Sequence, residues 1–150
     1  MQALQQLRML LDTLPGRLDA LSPDAVEFKP SNGWSVKEEL GHLLDSAANN
    51  HQRIVRAQLE DNLAMPGYDG DKWVELHAYQ QRDWRELIWM WRALNKQLLA
   101  AAEAVPHIAW SRSLRVGDSA PMTLQFVFED YIHHMRDHLQ HMRVQVDDLK

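Results

Sequence analysis

The chain has 150 residues, 45% apolar and 25% charged, an ordinary globular balance long enough to bury one core, so residues 1–150 are read as a single domain. A formal net charge of -5, with basic residues scattered rather than striped, excludes the electrostatic footprint of a nucleic-acid binder. There is no cysteine, which rules out a catalytic thiolate, a Cys-based zinc site and disulfides; with no apolar run near about 18 residues and no signal-peptide pattern, a complete cytoplasmic protein with no membrane partner is expected.

From Gln2 to Leu21, Leu4, Leu7, Leu11, Leu14 and Leu18 recur at helical spacing, and Pro15-Gly16 predicts a kink or break in that helix. Pro23, Pro30, Ser31, Asn32 and Gly33 mark a loop. Ser35 and Glu38 then form a capping box, S-x-x-E, opening a second helix expected to run from Val36 to Asn62 with Leu40, Leu43, Leu44, Ala47, Ile54 and Val55 on its apolar face. Met65 to Asp71 is a succession of turn residues, followed by Trp73, Leu76 and Tyr79 in a short helix or ordered loop. Its acidic residues lack the EF-hand spacing, which argues against calcium.

Asp83 and Glu86 repeat the start signal, and Leu87, Trp91, Leu94, Leu98, Ala101 and Val105 carry a third helix to Pro106. From His107 to Pro121, Trp110, Leu114 and Val116 alternate with polar residues, as in a short extended stretch or a long loop that can cover a pocket. Thr123 caps the last helix, whose stripe runs through Leu124, Val127, Phe128, Tyr131, Ile132, Met135, Leu139, Met142 and Val146. Four amphipathic helices without a convincing strand pair point to an all-α helix bundle.

Five of the eight histidines fall between His107 and His141. His134 and His138, four residues apart, are separated by about 40° around the helix axis and about 6 Å along it, so two imidazoles can grip one ion. They flank the apolar stripe; His133 points away from it, and His141 follows the His134 side and reads first as exposed. A third ligand has to come from another helix, from His42, His51, His77 or His107. Periodicity alone favours His51, within the apolar face of the second helix, whereas His42 lies nearly opposite that face beside Asp45 and Asn49 and reads as a surface residue.

The segment Trp34-Ser35-Val36-Lys37-Glu38-Glu39-Leu40-Gly41-His42-Leu43-Leu44-Asp45, followed by His134-x-x-x-His138, resembles the DinB superfamily, which includes the YfiT-like proteins. Tyr68-Asp69-Gly70-Asp71-Lys72-Trp73 and the Trp-rich third helix extend the resemblance over nearly the whole chain. The resemblance implies an up-down four-helix bundle with a long connection. It also implies one divalent metal ion, zinc or nickel, on His42, His134 and His138, with His51 left as a core or boundary residue.

Such a site leaves coordination positions open, where water is activated or a substrate oxygen polarised. The resemblance leans toward transfer or isomerisation with a low-molecular-weight thiol, with metal-dependent hydrolysis as the alternative; a non-catalytic metal-binding or dimeric interaction protein is the third class. A small-molecule substrate and a homodimer are expected on the same ground. Asp45, three residues after His42, is the candidate catalytic residue, able to orient an imidazole or handle a proton, and Asp130 shares that possibility from four residues before His134. Trp34, Tyr68, Trp73 and Trp110 are candidates for lining a substrate pocket.

Overall fold

Short polar residues start three of the four long helices by the same physical device. In a computed structural model describing residues 1–145, Ser35, Asp83 and Thr123 accept hydrogen bonds from the backbone N–H three residues ahead, satisfying donors that have no partner inside the helix. At Ser35 the box is complete, since the Glu38 carboxylate also accepts from the Ser35 N–H at 2.8 Å. The elements are α1 (Gln2–Asp19), α2 (Pro23–Glu27), α3 (Val36–Ala57), β1 (Leu63–Met65), α4 (Gly70–His77), α5 (Trp84–Glu103), β2 (Ser113–Val116), β3 (Met122–Thr123) and α6 (Leu124–His141), with 3-10 turns at Tyr79–Gln81 and His107–Ser111.

Helices α1, α3, α5 and α6 form a four-helix bundle, with α3 packed on α5 and α6 and α1 packed on α5. Its interior is filled by Leu7, Leu10, Leu14 and Leu18 from α1, Leu40, Leu43 and Ile54 from α3, Leu87, Trp91 and Leu98 from α5, and Phe128, Tyr131 and Leu139 from α6. The polar tip of buried Tyr131 donates to Asn95 Oδ1, and Asn95 Nδ2 donates to the Trp91 carbonyl at 2.9 Å. That pairing removes the penalty of an unsatisfied hydroxyl in the core. Long connections join α3 to α5 and α5 to α6, and they carry the smaller elements except α2, which lies between α1 and α3.

Three sequence expectations are corrected. Of the kink or break expected at Pro15-Gly16, the break does not occur, since α1 runs through Pro15 and stays helical to Asp19. Proline in a helix interior costs about 3 kcal/mol, yet Leu14 and Leu18 on either side are wholly buried, each contributing about 1.5–3 kcal/mol. Helix α3 stops at Ala57, short of Asn62, which adopts a positive φ of 55° ahead of β1. The Arg112 guanidinium donates to the carbonyls of Ala57 and Gln58 at 3.3 and 2.6 Å, a cation at the negative end of the helix. There is also a small sheet, with β1 parallel to β2 (Leu63 opposite Leu114) and β2 antiparallel to β3. Strands of two to four residues are too short to leave a period in the sequence.

The extended stretch expected around Leu114 and Val116 is β2, and Val116 borders a cavity. Val146, assigned to the stripe of the last helix, lies outside the described residues. Among those residues no helix is long and apolar enough to cross a membrane.

Candidate metal centre

The first half of α3 is buried on nearly all sides, which resolves the conflict over His42. Leu40, Leu43, Leu44 and Ala47 face the bundle core, while α4 and the turn at Tyr79–Gln81 pack on the face that periodicity assigns to solvent. The approach is so close that a Cβ on Gly41 would stand 2.1 Å from the Tyr79 ring. His42 is accordingly only 7% exposed.

There His42 meets His134 and His138 from α6. The Nε2 atom of His134 lies 3.1 Å from His42 Nε2 and 3.1 Å from His138 Nε2. Three imidazole nitrogens converging on one point are poorly served by a shared proton alone, because His134 Nε2 can bond only one of its two neighbours through a single hydrogen. Donors on a tetrahedral ion with bonds of about 2.0–2.1 Å would be spaced by about 3.3 Å, so the two spacings about His134 agree with a shared divalent ion within a few tenths of an ångström, and all three ligand atoms lie within 4.8 Å of one another. The chemistry of the donor set agrees. Burial and the neighbouring His138 and His134 push the His42 pKa down to about 4, and burial with His138 lowers that of His134, only partly offset by Asp130, Asp137 and Glu39. Both rings are therefore neutral near pH 7, the form that ligates.

The carboxylate that meets one of the three clustered imidazoles is Glu39, not Asp45. Its Oε2 lies 2.6 Å from His138 Nδ1, so a hydrogen on Nδ1 is held by the carboxylate and the Nε2 lone pair is free to face the cluster. His141 Nδ1 stands 3.7 Å from the other oxygen of Glu39, with its side chain 62% exposed. Glu39, His138 and His141 also bring three ligating atoms close together, but that grouping spends on metal the nitrogen that Glu39 already holds. Glu39 stands three residues before His42, the one sequence signal by which it was discoverable.

Asp45 is buried and accepts from the Tyr79 hydroxyl at 2.6 Å, and the same oxygen lies 3.1 Å from His77 Nδ1. It therefore supports the cover over α3 rather than bonding to any of the three imidazoles. Burial raises its pKa, opposed by the bonds from Tyr79 and His77. Asp130 is exposed at the cavity wall. His51 is half-buried at the bundle boundary, and His77, His107 and His133 are exposed.

Of the four pocket candidates, Trp34 and Tyr68 lie against the cluster, with ring centres 4.7 and 6.4 Å from His42. Trp73 packs on Tyr68, and Trp110 packs on Phe128 away from the site. Gly70 leaves room for the His42 ring, since a Cβ there would stand 3.1 Å from Cε1. Beside the cluster opens a cavity of about 340 Å³, bordered by His134, Tyr68, Arg53, Ser46 and Asp130.

Known proteins share this arrangement of helices. The chain is 26% identical over 138 residues to a protein of Halalkalibacterium halodurans named "Putative metal-dependent hydrolase", covering 89% of this chain and 80% of that one. It is 27% identical over 112 residues to a protein of the same description from Oceanobacillus iheyensis, covering 75% and 64% of the two chains. Its fold matches YfiT from Bacillus subtilis, described as "a probable metal-dependent hydrolase with an unusual four-helix bundle topology", with a TM-score of 0.84 at 21% identity over 94% of this chain and 82% of that one. The family model of the DinB superfamily aligns with residues 4–142, nearly the full length that carries the bundle and all three clustered histidines, and the chain therefore belongs to the DinB superfamily.

Proposed function

We propose that His42, His134 and His138 hold one divalent metal ion, zinc or nickel, and that the protein is a metal-dependent enzyme acting on a small molecule in the adjoining cavity. The observation that carries this reading is the convergence of three imidazoles beside that cavity, with His134 Nε2 3.1 Å from Nε2 of both His42 and His138 and all three ligand atoms within 4.8 Å of one another. When bound, the ion would supply Lewis acidity, lowering the pKa of a bound water or polarising a substrate oxygen. The chain's own part is positional. Glu39 fixes the His138 ring, burial keeps His42 and His134 unprotonated, and Trp34 and Tyr68 exclude water from the flank of His42.

Hydrolysis is the reaction that the names of the relatives support. Thiol transfer is the second reading, favoured by the donor set. Three neutral imidazoles leave the ion its full double charge, which suits a low-molecular-weight thiol held as thiolate, and Asp45 is committed to Tyr79 and His77 rather than available as a base. The test is metal content by mass spectrometry on untagged protein, beside His42→Ala, His134→Ala and His138→Ala, followed by ester, amide and thiol-transfer screens on the loaded protein. One ion per chain in wild type, lost in each variant, is expected; metal-free wild type, or retention in His42→Ala, overturns the site.

A further inference from the structure

Arg53 is a cation in the cavity wall that the proposed metal chemistry does not use. It stands eleven residues after His42 on α3, a separation of about 20° around the axis and roughly 16 Å along it, so both residues occupy one helix face. Helical side chains lean toward the N-terminus, which carries the guanidinium back toward the histidine cluster. The group is half-buried, and its Nη1 donates to Asn50 Oδ1 at 3.2 Å. Its Nε is buried and has no hydrogen-bond partner, and among the described residues no carboxylate lies within ion-pair distance. A guanidinium is rarely placed so, because a buried donor without a partner is costly and a planar fork is built for a two-oxygen acceptor.

We propose that Arg53 is the anion-recognition group of this cavity and that the substrate is a small molecule bearing a carboxylate remote from the end that reacts at the histidine cluster. The inference rests on the metal reading for the reacting end only. A single carboxylate fits better than a phosphate. Asp130 borders the same cavity and acts electrostatically on Arg53, so a dianion would meet repulsion that a monoanion bonded to the open edge of the guanidinium largely avoids. The cavity of about 340 Å³ is near the lower limit for small-molecule sites, which suits a short chain with an acid at one end.

The experiment titrates zinc-loaded protein by calorimetry with 6-mercaptohexanoate and with uncharged 6-mercaptohexanol. Wild type is expected to prefer the acid by about tenfold or more, the scale of a charge-assisted hydrogen bond. The ratio falls to near one in Arg53→Met at unchanged zinc content, and Arg53→Lys, a point charge without the fork, lies between. Equal binding of acid and alcohol by wild type, survival of the ratio in Arg53→Met, or tighter competition by inorganic phosphate than by hexanoate overturns the proposal. Substoichiometric zinc in wild type is a failure of the metal reading alone. Hexanoate and hexanol are then compared on metal-free protein by ligand-observed magnetic resonance, where a preference for the acid that Arg53→Met abolishes supports the assignment and no preference overturns it. If Arg53→Met loses cooperative unfolding, the same comparisons are decided on Arg53→Lys, expected to weaken the preference and, if it leaves it unchanged, overturning the role of the fork.

Discussion

Glu39 Oε2 lies 2.6 Å from Nδ1 of His138, joining a carboxylate of α3 to an imidazole of α6 across the edge of the bundle. The bond fixes which nitrogen of His138 carries the hydrogen and so which one faces the other two histidines. Carboxylates placed behind a metal-bound imidazole typically contribute 10–100-fold to metal affinity. Glu39→Ala is therefore expected to weaken zinc binding by about that factor, measured by competition with a chromophoric chelator. Glu39→Gln, whose carbonyl can still accept, should lose less. Affinity unchanged in Glu39→Ala would show that packing against Trp34 alone orients the ring.

Metal removal provides a second check. A ligand that binds only the folded state stabilises it by about 2.7 kcal/mol at a concentration one hundred times its dissociation constant. For a chain of this length that corresponds to a rise in Tm of roughly 5–10 °C. Calorimetric scans with zinc and with a chelator are expected to differ by this amount in wild type and to coincide in His134→Ala. Equal Tm values in wild type would mean that the cluster is not a metal site of useful affinity.

The main helices were legible in the sequence because their signals are local: the caps Ser35, Asp83 and Thr123 and the leucine stripes need no knowledge of the partner. His42 was misplaced by periodicity because that reading assumes a helix with one wet face, and α4 with its following turn covers the polar face of α3. Family resemblance, not the pattern, placed His42 with His134 and His138. Glu39 and Arg53 take their roles from contacts across elements, with α6 and with the cavity wall, and spacing along α3, such as that of Glu39 three residues before His42, does not by itself specify such contacts. The strands escaped for a different reason, being shorter than the period that would reveal them.

The approach of Tyr79 to Gly41 gives a third prediction. Alanine ordinarily favours a helix interior over glycine by about 1 kcal/mol. At Gly41 the added Cβ would fall 2.1 Å from the Tyr79 ring, which must move and loosen its 2.6 Å bond to Asp45. Overpacking of this kind costs about 1–3 kcal/mol, so the net effect of Gly41→Ala is destabilising. Urea unfolding should record the loss, and it should shrink or reverse in a Tyr79→Ala background, where the obstructing ring is gone. Equal losses in both backgrounds would place the strain elsewhere.

The pH dependence of stability is expected to carry two opposed contributions from α3. For Glu38, burial raises the carboxyl pKa, but the Lys29 ammonium and the Ser35 N–H outweigh it, and the folded value lies below the ordinary 4.5. The unfolded chain then binds more protons, so this contribution is present above about pH 4.5 and is lost as pH falls through the folded value. For Asp45, burial raises the pKa above 3.8 despite the bonds from Tyr79 and His77. Here the folded chain holds the proton more tightly, and stability declines as pH rises from 3.8 through the folded value. Unfolding by urea between about pH 2 and 8, on chelator-treated protein, should separate the two by difference from wild type. Ser35→Ala, which breaks the capping box, is expected to lose about 1 kcal/mol at neutral pH and Glu38→Gln somewhat less, the Glu38→Gln deficit closing toward acid. Asp45→Asn keeps an acceptor for the Tyr79 hydroxyl and should gain on wild type as pH rises, because a neutral amide replaces a charge that burial opposes. A deficit in Asp45→Asn that grows with pH would instead assign the ionised carboxylate a net stabilising pair with His77.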